Sequence, residues 1–554
     1  MTHNRRETII ILVAAALVAA IWWGEAAISR PEFNHLGAMS DAVSLRVWFQ
    51  KIDNPQLYPT DYLNRNDHLT QQYIPSFCWI VFALIGITGD LGDALVLLMP
   101  ILGFVYAITM TLFLRRFTSS LFLAILLAAV SSAPRYSFGN EVWGIGGITY
   151  ALSRTVFTAV APLLLLVHLR FASSTRGAAL SLGLTGLAAN LHPPSAVVLA
   201  ETFIVERTMA VARRCFSLKG VLLSAACFAL GLLPFSLSFL RVVRSVSAPA
   251  LSLDPAGFYE AICLRFGQML LPPSPQDCWT FAEGFLPLLP FAVFGSLSSR
   301  GRPEPHEEIA GTLRLLGALT LAAVGGQIVL QVLARYVGWS FMVIDQLRGF
   351  RLVYPLAFAL AAAGLDGIRC RMPRGLWVPT ALASALLLLP VISLPSFRLT
   401  LEHFPKPIAI AYLSISGQGE RIRQEMQAIP VEPQTLALEA AAKWARENTP
   451  PRALFLTNDG RFRLFSLRSV AFSYKDAGFC YYRGKAKFLD WLRRAIAMSH
   501  AYNSRSVAGW LSVAKELGCN YAVVDKHMLD NQFVPEAAYQ NDFFAVVPVE
   551  ASTR

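Results

Sequence analysis

The stretch Leu91-Gly-Asp-Ala-Leu-Val-Leu-Leu-Met-Pro-Ile-Leu-Gly-Phe-Val-Tyr-Ala-Ile-Thr-Met-Thr-Leu-Phe-Leu114, closed by Arg115-Arg116, decides the fold of this chain. After Asp93 it carries no charge until the two arginines. A run of about 20 apolar residues crosses the hydrocarbon core as a helix. Paired arginines just beyond such a run mark its cytoplasmic end. The same pattern recurs along the chain. Apolar runs at 8–28, 91–114, 119–133, 155–169, 177–191, 195–212, 221–240, 281–297, 313–333, 352–365 and 376–394 predict about eleven transmembrane helices. The hairpin 177–212 is interrupted by Glu201 and Glu206.

The composition agrees. Of 554 residues 55% are hydrophobic and 15% charged, where a soluble domain carries roughly 25% charged residues. The net charge of +12 is explained by loop arginines. No basic stripe interleaved with aromatics is present, so nucleic acid is not an expected partner. The first residues have the basic start of a signal peptide. The apolar core that follows is too long for one and Glu25-Ala26-Ala27 is a poor cleavage site, so an uncleaved first helix is expected.

Orientation follows from the loops. With Arg5 and Arg6 in the cytoplasm, every second connection holds basic residues: Arg115/Arg116, Arg170/Arg176, Arg213/Arg214/Lys219, Arg300/Arg302 and Arg369/Arg371/Arg374. That is the positive-inside pattern five times over. The apolar run 75–89 would reverse it if it spanned, so it is read as an interfacial or re-entrant helix. An odd number of spans leaves the C-terminal segment outside.

Two segments are long enough to act in water. The outer loop 29–73 holds an amphipathic run at 41–52 and turn-rich Asp53-Asn54-Pro55 and Tyr58-Pro59-Thr60-Asp61. Beyond residue 394, strand-like runs at 453–457, 469–473, 521–524 and 544–547 alternate with helical patterns at 436–448, 486–498 and 506–517. That alternation predicts a small α/β domain. The division is a membrane domain over 1–396 and a soluble domain over 397–554. Cysteine spacing shows no metal site. The outer pairs Cys263/Cys278 and Cys480/Cys519 are free thiols or disulfides in an oxidising compartment.

Particular motifs carry a resemblance. His35-Leu-Gly-Ala-Met-Ser-Asp41-Ala-Val, the proline-led Tyr73-Ile-Pro-Ser-Phe-Cys-Trp-Ile-Val-Phe, and Trp444-Ala-Arg-Glu-Asn-Thr-Pro-Pro-Arg are similar to stretches of the GT-C glycosyltransferases. A group of uncharacterised bacterial membrane proteins resembles the chain more closely. It shares Asn54-Pro-Gln-Leu-Tyr-Pro-Thr-Asp61-Tyr-Leu, Leu191-His-Pro, Leu347-Arg-Gly-Phe-Arg351 and Phe462-Arg-Leu-Phe-Ser-Leu-Arg-Ser-Val. The sequence departs from the superfamily in two places. Asp41 is followed by Ala42, not by a second acid, and Leu456-Thr-Asn-Asp-Gly stands where oligosaccharyltransferases carry Trp-Trp-Asp.

The resemblance implies a GT-C-like helical membrane protein of the bacterial inner membrane, with a cytoplasmic N-terminus and a periplasmic C-terminal domain. It implies transfer of a hexosyl or pentosyl group from a polyprenyl-phosphate donor to an acceptor on the periplasmic face. Asp41 would be the catalytic carboxylate that takes the acceptor's proton; Asp is equally a favoured helix N-cap. Arg348 and Arg351 would hold the donor phosphate, because a guanidinium fork binds phosphate oxygens bidentately; interfacial snorkelling is the plain alternative. His192 and Asp61 complete the candidate substrate-binding set, although His before Pro-Pro also ends helices and Thr60-Asp61 also reads as a turn. Glu141 is the candidate metal ligand, joining Asp41 around Mg or Mn. Glu201 is an intramembrane acid, functional by default. Arg461, Arg463 and Arg468, set among phenylalanines, read as a solvated rim or a headgroup contact. Two other readings remain: a transporter or flippase of lipid-linked sugars, and a non-catalytic assembly protein.

Overall fold

The structure is a computed structural model that describes residues 5–30, 41–63, 75–137, 141–146, 148–245, 255–267, 303–338, 346–371, 432–482, 485–529 and 536–549, with a few isolated positions beside them. The membrane part contains α1 (Arg5–Ile28), α2 (Asp41–Asp53), α3 (Pro75–Thr88), α4 (Leu91–Leu114) and α5 (Leu121–Ser131). The hairpin β1 (Arg135–Ser137) and β2 (Glu141–Trp143) precedes α6 (Ser153–Phe171), α7 (Thr175–Ala188), α8 (Pro193–Ala212), α9 (Leu218–Ser245), α10 (Pro255–Phe266), α11 (Pro303–Val332) and α12 (Val353–Arg369). Six helical segments among the described residues are long and apolar enough to cross a membrane. Nine of the eleven runs predicted above fall on helices. The other two, 281–297 and 376–394, lie outside the described residues.

Ion pairs fix how the first helices run. Glu7 lies 3.7 Å from Arg115 at one end, and Arg30 Nε donates to Asp93 at 3.0 Å at the other. So α1 and α4 are antiparallel. Their contact is close because Gly103 has no side chain: a Cβ there would meet Trp22 Cδ1 at 2.8 Å. Similarly, a Cβ on Gly231 of α9 would stand 2.6 Å from the Gly183 carbonyl of α7. Close backbone approach at small residues is how helices associate without a hydrophobic driving force. The apolar run at 75–89 is helix α3, packed on α4, and Asp90 caps the start of α4.

The charged connections gather at one end. Arg116 pairs with Glu308, Arg207 with Glu206, and Arg369 Nε with Asp366 at 2.9 Å. This is the arginine-rich end. Glu206, an interruption in the hydropathy pattern, is 3% exposed and lies 3.5 Å from His168 and 3.4 Å from Arg314. A buried acid in an apolar helix is tolerated when cations surround it.

Residues from 432 onward form an α/β unit: α13 (Pro433–Asn448), β3 (Leu454–Leu456), α14 (Arg461–Ser466), β4 (Ser469–Val470), α15 (Ala477–Tyr482), α16 (Lys485–Asn503), α17 (Val507–Glu516), β5 (Tyr521–Asp525), β6 (Tyr539–Gln540) and β7 (Phe544–Pro548). The sheet order is β4-β3-β5-β7-β6, with β3 parallel to β4 and β5, and β7 antiparallel to β5 and β6. All four predicted strands and three predicted helices are present. Cys480 and Cys519 are both buried and form no disulfide with each other. The unit docks on the outer loop and on α10, both of which follow membrane helices at the end opposite the arginine-rich loops. Tyr474 donates to the Leu264 carbonyl at 2.7 Å, and Trp48 meets Phe479 edge-on at 4.7 Å.

Candidate functional site

The site begins with a short turn. Residues Gln346–Leu352 form a 3-10 segment that runs directly into α12 and packs between α8 and α11. Gly349 makes this possible, because a Cβ there would overlap the Val198 side chain of α8. The turn therefore lies against the first turns of α8, with Arg351 beside the helix start.

That start is built by Leu191-His192-Pro193-Pro194. The prolines occupy the first helical positions, where a missing N–H costs nothing. His192 is the N-cap: its Nδ1 accepts the Ser195 N–H at 3.4 Å and lies 2.6 Å from Ser195 Oγ. Arg351 is 1% exposed. Its Nη2 donates to Ser195 Oγ and stands 3.4 Å from His192 Nδ1. Because Nδ1 accepts, the network assigns the ring proton to Nε2. Two sequence candidates 159 residues apart thus meet in one cluster, and Ser195 is a member the sequence reading missed. Arg348 lies half-buried in the same turn.

One step along the same two elements is a second polar pair. Gln346 Nε2 donates to Glu201 Oε1 at 3.1 Å. The other oxygens, Glu201 Oε2 and Gln346 Oε1, are buried without a hydrogen-bond partner. Glu201 lies six residues beyond Ser195 on α8, about 9 Å along the helix. Such orphaned oxygens cost roughly 1–3 kcal/mol each.

Strand β2 packs on the same turn. Trp143, wholly buried, anchors it by donating to Tyr106 Oη at 3.2 Å. The strand begins with Glu141, so the backbone of the candidate metal ligand joins His192 and Arg351; its side chain lies outside the described residues. Asp41 opens α2 at the predicted place, and its side chain is likewise outside them. Helix α2 packs on α14, with Gln50 Nε2 donating to the Leu464 carbonyl at 3.3 Å. Among the described residues no group of three or more His, Cys, Asp or Glu could hold a metal ion.

Asp61 has a different setting. It is 0% exposed. Its Oδ2 accepts Arg463 Nε at 2.7 Å and the Val470 N–H at 3.0 Å, and its Oδ1 accepts the Leu63 N–H at 3.0 Å. Arg463 also pairs with Asp476 at 2.7 Å. Burial opposes the charge on Arg463, but Asp476 and Asp61 outweigh it and raise its pKa above the ordinary value. Burial pushes the Tyr58 and Tyr62 phenols up as well. This buried triad is an ionic latch between the outer loop and the terminal unit.

The latch corrects the reading of the arginine cluster as a solvated rim. Arg461, Arg463 and Arg468 are 8%, 3% and 8% exposed. Arg461 pairs with Asp459 at 2.6 Å, and Arg468 donates to the carbonyls of Arg446 and Thr449 at 2.6 and 2.8 Å. The sequence signal that could have found this is the spacing of Asp459, Arg461, Arg463 and Asp476 around one short helix.

A family model described as "Domain of unknown function (DUF6798)" matches residues 437–498, from within α13 to within α16, and includes the arginine cluster. No curated protein matches the chain.

Proposed function

We propose that this chain is a GT-C-type membrane glycosyltransferase that moves a sugar from a polyprenyl-phosphate donor to an acceptor on the outer face. The observation that carries the reading is the cluster of buried Arg351 and Ser195 with half-buried His192 at the arginine-poor end. A donor phosphate seated there would meet a guanidinium fork, a hydroxyl and an imidazole N–H. Such donors neutralise the charge that builds on a leaving phosphate. Burial makes them count for more than they would in water.

In this reading the arginine-rich end faces the cytoplasm of a bacterium, about eleven helices span its inner membrane, and the terminal unit lies in the periplasm. The membrane domain covers 1–396 and the soluble domain 397–554. Asp41 is the base, and the strand of Glu141 closes the site. A divalent cation would draw on Glu141 and Asp41. Asp61 supports the site by holding the outer loop on the terminal unit. The test is transfer from polyprenyl-phosphate hexose and pentose by purified protein. Wild type transferring and Asp41→Asn folded but inactive is the expected result. Full activity in Asp41→Asn would overturn the assignment of the base, and a wild type inert towards every donor would overturn the function.

One observation favours a second reading. The Glu201–Gln346 pair inside the bundle, with its unpartnered oxygens, is what a transporter or flippase of lipid-linked sugars would offer its cargo. Reconstituted vesicles that move such a lipid without transferring its sugar would select this alternative.

A further inference from the structure

A cavity of about 700 Å³ opens at the arginine-rich end, between α6, α8 and α11. It lies at the opposite end of the bundle from Arg351, so nothing said of the outer site bears on it. Five arginines line it against three glutamates, with the buried His168 in its wall.

The charges are not equivalent. Arg116 is committed to Glu308. Glu206 holds Arg207 in a bidentate pair and Arg314 at 3.4 Å, while Arg207 Nη1 also donates to the Ala172 carbonyl at 2.6 Å. His168 stacks on Phe203 at 3.7 Å and is 2% exposed. Its Nε2 faces Glu206 at 3.5 Å without completing a hydrogen bond. Arg170, Arg213 and one acid, Glu307, are left over. All three are exposed and line the cavity, and neither arginine has a carboxylate partner among the described residues. Arg170 lies over the Phe171 ring at 5.3 Å.

The walls are apolar where the charges end. Leu169, Met209 and Leu315 line the cavity, and Phe171 and Leu313, the chain neighbours of the lining residues Arg170 and Arg314, present exposed apolar surface. A cationic recess beside an apolar helix face suits an amphiphile with an anionic head. Basic pockets between membrane helices take phosphate headgroups for this reason.

We infer that this cavity binds a phosphate-bearing anion, with Arg170 and Arg213 as the phosphate fork and Glu206 positioning Arg207, Arg314 and His168 behind it. Guanidinium donors match phosphate oxygens in charge and geometry. Glu206 lies behind Arg207 and Arg314, 4% exposed at its side chain, and so organises the site without facing the ligand with its full charge.

The test uses full-length protein in a zwitterionic detergent. Fluorescent phosphatidylglycerol is titrated into wild type, into Arg170→Ala/Arg213→Ala, and into Arg5→Ala/Arg6→Ala as a control for general basicity. Matching melting curves without ligand establish that the variants fold. The expected result is saturable binding that phosphatidylcholine does not displace, weakened about tenfold or more in Arg170→Ala/Arg213→Ala, the scale of a lost charge-assisted contact, and unchanged in the control. Inorganic phosphate is the second arm. Binding of inorganic phosphate that depends on Arg170 and Arg213, in place of the lipid, would support the site with a soluble source. Binding of neither probe, or equal binding in all three proteins, would overturn the inference.

Discussion

Replacing Asp61 with alanine should undock the outer loop from the terminal unit. The substitution removes the Arg463 pair at 2.7 Å and leaves the Val470 and Leu63 N–H groups without their acceptor. Breaking a buried ion pair costs roughly 3–5 kcal/mol. Arg463 keeps Asp476 at 2.7 Å, so the loss should sit near the lower figure, about 3 kcal/mol. At about 1.4 kcal/mol per decade, the undocked population rises about a hundredfold. Lys51 reports it. It is 6% exposed, and its Nζ donates to the Pro55 and Leu57 carbonyls at 2.5 and 2.7 Å. Trypsin therefore cuts there only after local opening, and the cleavage rate tracks the open population when closing is fast. Asp61→Asn keeps an acceptor for Val470 and should open less, by about 1–2 kcal/mol. Cleavage at Lys51 in Asp61→Ala no faster than in wild type would refute the latch.

Three further predictions follow from particular contacts. Burial raises the pKa of Asp525, against the His527 N–H and His527 charge that favour ionisation. A raised folded-state pKa adds stability below the unfolded value and loses it as pH climbs through the folded value. Asp525→Asn should thus raise the melting temperature at pH 7, with the gain shrinking as pH falls towards 4, about the unfolded value; a gain independent of pH would contradict this. Burial pushes the Cys519 thiol up to about 12, so iodoacetamide at pH 8 should modify exposed Cys215 and Cys370 first, as mass spectrometry of the alkylated peptides would show. Gly349→Ala should displace the turn from Val198 and cost roughly 1–3 kcal/mol of overpacking, read as a lower melting temperature together with weaker binding at the Arg351 site.

The membrane character and the positions of the apolar helices were legible because hydropathy acts locally. The run 91–114 and its Arg115-Arg116 read the same in sequence and structure. The terminal strands were legible too, since each is a short β-branched or aromatic run between breakers. Pairwise geometry was not. His192 and Arg351 could be nominated singly from their positions at helix ends, but only the fold brings them together through Ser195 and Gly349. Asp61 shows the opposite case. Its turn character was visible, yet its dominant partner is Arg463, 402 positions away. The arginines around α14 looked like surface because charge is usually solvated; their partners Asp459, Asp476 and Asp61 make burial tolerable. Glu206 looked like a fault in a span and is a node that joins two arginines, Arg207 and Arg314, to His168.

Binding of polyprenyl phosphate to the purified full-length protein, wild type beside Arg351→Lys and His192→Ala, tests the proposed donor site most directly. Lysine keeps the charge and loses the fork. Saturable binding of polyprenyl phosphate but not of polyprenol is expected, weakened about tenfold or more in both variants. Equal binding of the two lipids, or affinities unchanged in both variants, would contradict it.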